Sequence, residues 1–356
     1  IDILAGLRSG ISAGVIVQIQ APYLMFLGNA PDQLAAKTAQ GIVHWRPDWC
    51  VGQMRLEGCQ ADLQLPDMSL DDAVKAGVKT VIVGVANRGG VLSPDWVALL
   101  TRALELGLDL ASGLHQRLVD YPQLKEAAAR LGRQLFDVRH PTQSFEVATG
   151  AKRSGKRLLT VGTDCSVGKM YTSLALEKEM RARGLKADFR ATGQTGIFIA
   201  GSGVSIDAVV ADFISGAVEE LSPAHDADHW DLIEGQGSLF HPSYAGVSLG
   251  LLHGAQPDAL IMCHEPTRLH MRGLPGYKLP ELKACIVANL TAAKLTNAAV
   301  RCIGIAINTA ALDEAAALEL LRRTEAEFCL PTVDPVRSGV SAIVDQLTGT
   351  TAVVAS

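Results

Sequence analysis

One loop constrains this chain more than any other feature. The stretch "RLLTVGTDCSVGKMYTS" (157–173) sets an apolar strand, a glycine-containing turn and the start of a helix in succession. At such a junction the free backbone N–H groups and the positive end of the helix dipole suit an anion, and Lys169 adds a full charge. The common phosphate-loop pattern is G-x-x-x-x-G-K-[ST], whose final hydroxyl holds Mg²⁺. Here five residues separate Gly162 from Gly168, and Met170 stands where that hydroxyl belongs. Gly162, Thr163, Asp164, Cys165, Ser166, Val167, Gly168, Lys169, Met170 and Tyr171 are the expected cradle for a phosphate-bearing ligand. Mg²⁺ stays an open question, because Met170 cannot ligate it and Thr172 lies about 200° further round the helix.

A strand that feeds a helix through such a loop belongs in a parallel sheet, and the rest of the chain repeats the alternation. Strand-length apolar runs fall at 23–28, 50–54, 79–86, 108–113 and 133–139. Helical patterns lie between them, as at 94–106, where Ser93 can cap the helix and Pro94 fits its first turn. The Gly- and base-rich "TGAKRSGKR" (149–157) reads as a linker. Beyond it strands are expected at 157–162, 187–192, 230–235, 258–263 and 301–308. Helices are expected from the loop to Arg183 and at 205–221, 280–296 and 313–327. The expected fold class is α/β, with two doubly wound domains over 22–148 and 158–356, which suits a chain of 356 residues.

Several function classes drop out. The first domain has no G-x-G-x-x-G, so a dinucleotide cofactor is not expected there. A net charge of −5 offers no basic stripe for nucleic acid. Residues 1–21 read as an added strand or an ill-fitting extension, with an apolar run from Ile11 to Ile19 too short to span a bilayer and no basic leader. Seven cysteines without a C-x-x-C pair read as reduced thiols, hence a cytoplasmic location without membrane partners.

The loop "GTD-x-x-VGK" resembles that of dethiobiotin synthetase and its relatives in the P-loop superfamily, which share the five-residue spacing. "ATGQTG" (191–196), "DLIEGQGS" (231–238) and "GIAIN" (304–308) follow in matching order. That likeness implies that Glu234 helps hold Mg²⁺ at the end of its strand and that Asn308 reads an adenine. Over a longer span, "GNAPDQLAAKTAQGI", "GVANRGG", "ASGLH", "VRHPTQ", "EGQGSLFHPSYAGVSLGLLHG", "CHEPTRLHMRGLP" and "DPVRSGV" resemble the DgcN-type D-glutamate N-acetyltransferases, from about residue 22 to about 347. This resemblance implies an N-terminal Rossmann-like domain and a C-terminal P-loop NTPase-like domain. It further implies acetyl transfer from acetyl-CoA to the amine of D-glutamate or a close acidic D-amino acid, in D-amino acid catabolism. The pyrophosphate of coenzyme A would suit a cradle short of a metal ligand. The alternative is an ATP/Mg-dependent ligase or kinase of dethiobiotin-synthetase type, opposed by Met170 and favoured by Glu234 and Asn308. A homo-oligomer is expected.

Acetylating an amino acid needs a base to free the amine, and cations to hold the acceptor's carboxylates. Glu234, after an apolar strand and before Gly235-Gln236-Gly237, is the first candidate base and His241 the second; Lys169 joins them as the loop's cation. "HEPTRLHMRG" (264–273) offers His264, Glu265, Arg268, His270 and Arg272 as substrate contacts, with Arg337 in addition. No recognised metal-ligand spacing occurs among these residues, so no metal site is expected. Cys165 could attack a thioester if its pKa were depressed, which makes an acyl-Cys intermediate the alternative to direct transfer. His225 and His229 read as part of a solvated loop.

Overall fold

The structure is a computed structural model and describes residues 18–85, 91–141 and 143–349. Outside the described residues lie 1–17 of the expected extension, residue 86 at the end of the 79–86 strand with the rest of "GVANRGG", Thr142 of "VRHPTQ", and 350–356 of the last domain.

The first half builds a five-stranded sheet from β1 (Tyr23–Gly28), β2 (Cys50–Arg55), β3 (Thr80–Val83), β4 (Asp109–Ser112) and β5 (Leu135–Asp137). The strands are all parallel, in the order β2-β1-β3-β4-β5. Every residue of β1 and β3 is buried, as befits parallel strands covered on both faces. The covering helices are α1 (Lys37–Trp45), α2 (Leu70–Lys75), α3 (Pro94–Glu105) and α4 (Pro122–Leu131). The expected start of α3 is observed: the Ser93 hydroxyl accepts the Trp96 N–H at 3.3 Å, with Pro94 in the first turn.

The second half builds a six-stranded sheet from β6 (Lys156–Gly162), β7 (Ala187–Arg190), β8 (Trp230–Ile233), β9 (Ala259–His264), β10 (Arg301–Ile307) and β11 (Thr332–Val333). This sheet too is parallel throughout, in the order β11-β10-β9-β6-β8-β7. Its strand order reverses at β6, so the crevice beyond that strand's carboxyl end is where such a sheet binds ligands. The helices are α5 (Lys169–Ala182), α6 (Gln194–Ala200), α7 (Ile214–Leu221), α8 (Ala245–Ala255), α9 (Leu282–Lys294), α10 (Glu314–Phe328) and α11 (Ser341–Thr348). The 149–157 segment lies along this half: the Thr149 and Gly150 amides donate to Glu219, and Arg153 donates to the Gly254 carbonyl.

Three sequence expectations are corrected. The helix over 205–221 begins only at Ile214, because the β-branched pair Val209-Val210 breaks the preceding stretch into two short 3-10 turns. Helices α6, α8 and α11 fall where the periodicity predicts none. In α8, glycines one turn apart hide the helix in the sequence, yet they let it close on α7: a Cβ on Gly250 would run into Ile214, and one on Gly254 into the Ser215 carbonyl. Finally, the loop that carries His225 and His229 is exposed at 226–228 as expected, but the two half-buried rings stack at 4.1 Å beside the buried Asp231, which Arg190 pairs at 2.6 Å.

The two sheets share apolar packing. One cluster joins Leu24, Phe26 and Leu100 of the first half to Leu174, Phe189 and Phe198 of the second. At its margin, Tyr171 on α5 packs against Trp45 at 5.6 Å between ring centroids, and Arg46 pairs with the buried Glu177 at 2.8 Å.

Candidate active site

The loop after β6 needs a backbone reversal before α5 can start. Ser166 (φ 54°) and Gly168 (φ 104°) both adopt left-handed conformations, and Gly168 occupies the N-cap of α5. Without a side-chain cap, the first N–H groups of α5 remain available to an anion. Lys169 is buried and lies across the base of the loop, its Nζ donating to the carbonyls of Asp164 (2.8 Å) and Gly237 (2.9 Å). An ammonium has three protons, so one remains for a ligand. Burial pushes the Lys169 pKa down.

A second anchor holds the loop from outside. Asp164 is fully buried; its Oδ1 accepts the Cys165 N–H at 2.7 Å, and its Oδ2 accepts Arg268 Nη1 and the Arg272 N–H, both at 2.8 Å. Arg268 also donates to the carbonyls of Cys165 and Ser166 and pairs with Glu265 at 2.9 Å. His264 Nδ1 meets the Thr163 hydroxyl at 3.0 Å. The segment expected to grip substrate therefore spends His264, Glu265 and Arg268 on bracing the phosphate loop.

A cavity of about 620 Å³ opens above the loop, where the two halves meet. Cys165 through Thr172 line one wall, Glu234 through Gly237 another, and Asn308 with Asp334-Pro335-Val336 the far end. Lys37 and Gly41 of α1 and Thr195 of α6 close it from the N-terminal side. Of the expected substrate cations only Arg272 lines this space, and its guanidinium has no protein partner among the described residues. His270 is exposed in a bridge to Lys278, and Arg337 donates to the carbonyls of Thr309 and Leu312, so neither lines the cavity.

Glu234 is buried at the cavity wall, and its Oε2 accepts the N–H groups of Thr192 (3.0 Å) and Gly193 (3.2 Å). These two residues come from "ATGQTG", and Gly196 of the same string must lack a Cβ, which would meet Oε2. Gly235 is equally constrained, since a Cβ there would run into the Thr160 carbonyl. Burial raises the Glu234 pKa to about 7, against the opposing pull of the two amides and Lys169.

Two expectations meet a physical obstacle. His241 is buried away from the cavity; its Nδ1 accepts the Ser243 N–H and its Nε2 lies 3.2 Å from the Arg272 carbonyl, so neither nitrogen is free to act as a base. Burial pushes the Cys165 thiol up, with Lys169 opposing, so it is not the poised thiolate that an acyl-Cys route requires. In the first turn of α5 the Thr172 hydroxyl is turned back onto the Gly168 carbonyl at 2.9 Å, and Met170 lines the cavity in place of a hydroxyl. Asp164, Cys165 and His241 bring ligand atoms within 4.8 Å of one another, but the Asp164 and His241 atoms are occupied as described.

The sequence missed Lys37, Thr195 and the Asp334–Val336 wall. Each falls within a string that carries the resemblance, "GNAPDQLAAKTAQGI", "ATGQTG" or "DPVRSGV", but nothing local singles out these residues, because each reaches the cavity through the packing of distant elements.

Two parallel sheets, a phosphate-loop turn at a strand reversal and a buried carboxylate across the cleft define an α/β protein of P-loop type. The chain belongs to the DUF1611 family: residues 146–344 match its "Domain of unknown function (DUF1611_C) P-loop domain" and residues 54–141 its "Domain of unknown function (DUF1611_N) Rossmann-like domain". A protein of Tritonibacter scottomollicae named D-glutamate N-acetyltransferase is 56% identical over 92% of this chain and 99% of its own length. A Pseudoalteromonas protein of the same name is 50% identical over 93% of this chain and 100% of its own. The crystal structure of a DUF1611 family protein from Anabaena variabilis superimposes with a TM-score of 0.80 at 33% identity, covering 93% of this chain and all of that one.

Proposed function

We propose that this chain is an N-acetyltransferase that moves the acetyl group of acetyl-CoA onto the amine of D-glutamate or a close acidic D-amino acid. The observation that carries this reading is the 56% identity, across 92% of the chain, to a relative bearing that activity's name. The chemistry of the cavity supports it. The α5 amides and Lys169 suit the coenzyme's pyrophosphate, and the end wall at Asn308 and Pro335-Val336 suits its adenine. Loss of the metal-binding hydroxyl is tolerable for a ligand that is held there and not cleaved at phosphorus.

Glu234 serves as general base. A carboxylate with a pKa near 7 can take a proton from the substrate ammonium and is still ionised often enough at neutral pH to do so. The freed amine attacks the thioester carbonyl, a C–N bond forms, the C–S bond breaks, and coenzyme A leaves as its thiol once the amine's remaining surplus proton has passed to it. Arg272 faces the acceptor's carboxylate. Lys169 keeps its charge beside the phosphates, and His241 positions the Arg272 backbone. Asn308, Met170 and Tyr171 shape the coenzyme's bed. A catabolic role, a cytoplasmic location and a homo-oligomeric assembly complete the proposal; among the described residues no helix is long and apolar enough to cross a membrane.

The test is to incubate the purified chain with acetyl-CoA and D-glutamate, and to measure free coenzyme A and N-acetyl-D-glutamate together. Equal formation of both is expected. No acetylated product, with Mg²⁺-dependent consumption of ATP instead, would return the protein to the ligase or kinase class.

A further inference from the structure

Lys37 is the first residue of α1, a helix of the N-terminal half with no acidic residue in its first turn. A lysine at that position opposes the helix dipole. Its side chain is exposed, and among the described residues it forms no hydrogen bond or ion pair. It nevertheless lines the cavity with Gly41, one turn further along the same helix face. A Cβ on Gly41 would lie 3.4 Å from the Thr195 methyl, so this turn of α1 rests directly against α6. The chain just before α6 supplies the amides that hold Glu234. Lys37 and Thr195 thus close the cavity from the N-terminal side, and Glu234 stands on the wall reached through the chain that leads into α6.

We infer that Lys37 binds the side-chain carboxylate of the acceptor and selects acidic amino acids. This rests on the acetyltransferase reading and adds to it where the acceptor sits: between the two halves, with its amine toward Glu234 and its side-chain carboxylate on Lys37. The Thr195 hydroxyl, which has no partner among the described residues, is placed to donate to the same carboxylate. Lys169 gives two protons to carbonyls and faces the loop with its third, and Arg272 is anchored through its backbone N–H to Asp164 on the loop side. Lys37 is therefore the cation left to meet a carboxylate at the α1 end of the cavity. Acceptor selection would then belong to the Rossmann-like half and coenzyme binding to the P-loop half.

Steady-state kinetics of the full chain test this with wild type, K37M and K37R, on D-glutamate and its neutral analogue D-glutamine. K37M should raise the KM for D-glutamate about 10- to 100-fold, the usual effect of losing a charge-assisted hydrogen bond. The KM for acetyl-CoA, the kcat and the parameters for D-glutamine should change little, and K37R should recover part of the loss. If K37M does not fold, K37Q at the same exposed position reads the same quantities. An unaltered KM for D-glutamate in a folded variant overturns the assignment, as does a rise confined to the KM for acetyl-CoA. A wild type that fails to acetylate D-glutamate at all overturns the functional reading itself, and this assignment with it.

Discussion

Glu234 and Cys165 line the same cavity, and burial raises the pKa of both, with opposite consequences for their use. A carboxylate raised to about 7 becomes a better proton acceptor at neutral pH, whereas a thiol pushed up is a poorer nucleophile. The base form of Glu234 is the ionised one, so kcat/KM should rise with pH through about 7. E234Q should lose that limb and about 10²- to 10⁴-fold in rate, read from a pH profile of both proteins. Stability carries the opposite sign. The folded state holds this proton to a higher pH than the unfolded chain, so wild type should lose stability as pH rises from 4.5 to about 7, and E234Q should not. Denaturant titrations at pH 5 and pH 8 would separate the two. C165S should retain activity within a few-fold of wild type, and trapping of an acetylated protein in rapid-quench experiments would contradict direct transfer.

Among the elements, the loop between β6 and α5 and its brace at 264–272 act as a unit. Removing Arg268 leaves Asp164 buried with an unmatched charge, which typically costs about 3–5 kcal/mol. R268M should therefore lower the unfolding free energy and raise the KM for acetyl-CoA more than that for D-glutamate, a split that kinetics with each substrate varied would show. At the α7–α8 contact, G250V would force a branched side chain into Ile214 and should cost about 1–3 kcal/mol by chemical denaturation, leaving the KM values unchanged. Both positions show where element-level reading stops. The density of charge in "HEPTRLHMRG" was visible, but its partner, the Asp164 carboxylate, sits about a hundred residues earlier in the chain. Likewise α8 is apolar around much of its circumference and carries glycines at helical spacing. It therefore shows neither the polar face nor the propensity that marks a surface helix.

For the whole molecule, apolar contacts run from the first sheet into α5, β7 and α6 without a break, and the Arg46–Glu177 pair crosses the same boundary. Such continuity predicts a single cooperative transition in calorimetry, and two resolved transitions would show that the halves are energetically separate. The sequence by itself determined the α/β class, both parallel sheets, the strand-to-helix loop with its Lys, and the position of Glu234 at the end of a strand. Each of these is written in short-range patterns: apolar runs of strand length, a glycine turn before a Lys, a carboxylate ahead of a glycine pair. The tertiary structure alone decided which polar residues face the cavity. It turned Arg268 and His264 onto the loop as braces, buried His241 outside the cavity lining, and left Arg337 on backbone carbonyls. It also brought Lys37 and Thr195 from separate halves to one wall. The reason is physical: backbone pattern depends on neighbours a few residues away, whereas the role of a charge depends on which distant group comes within about 3 Å of it once the chain has packed.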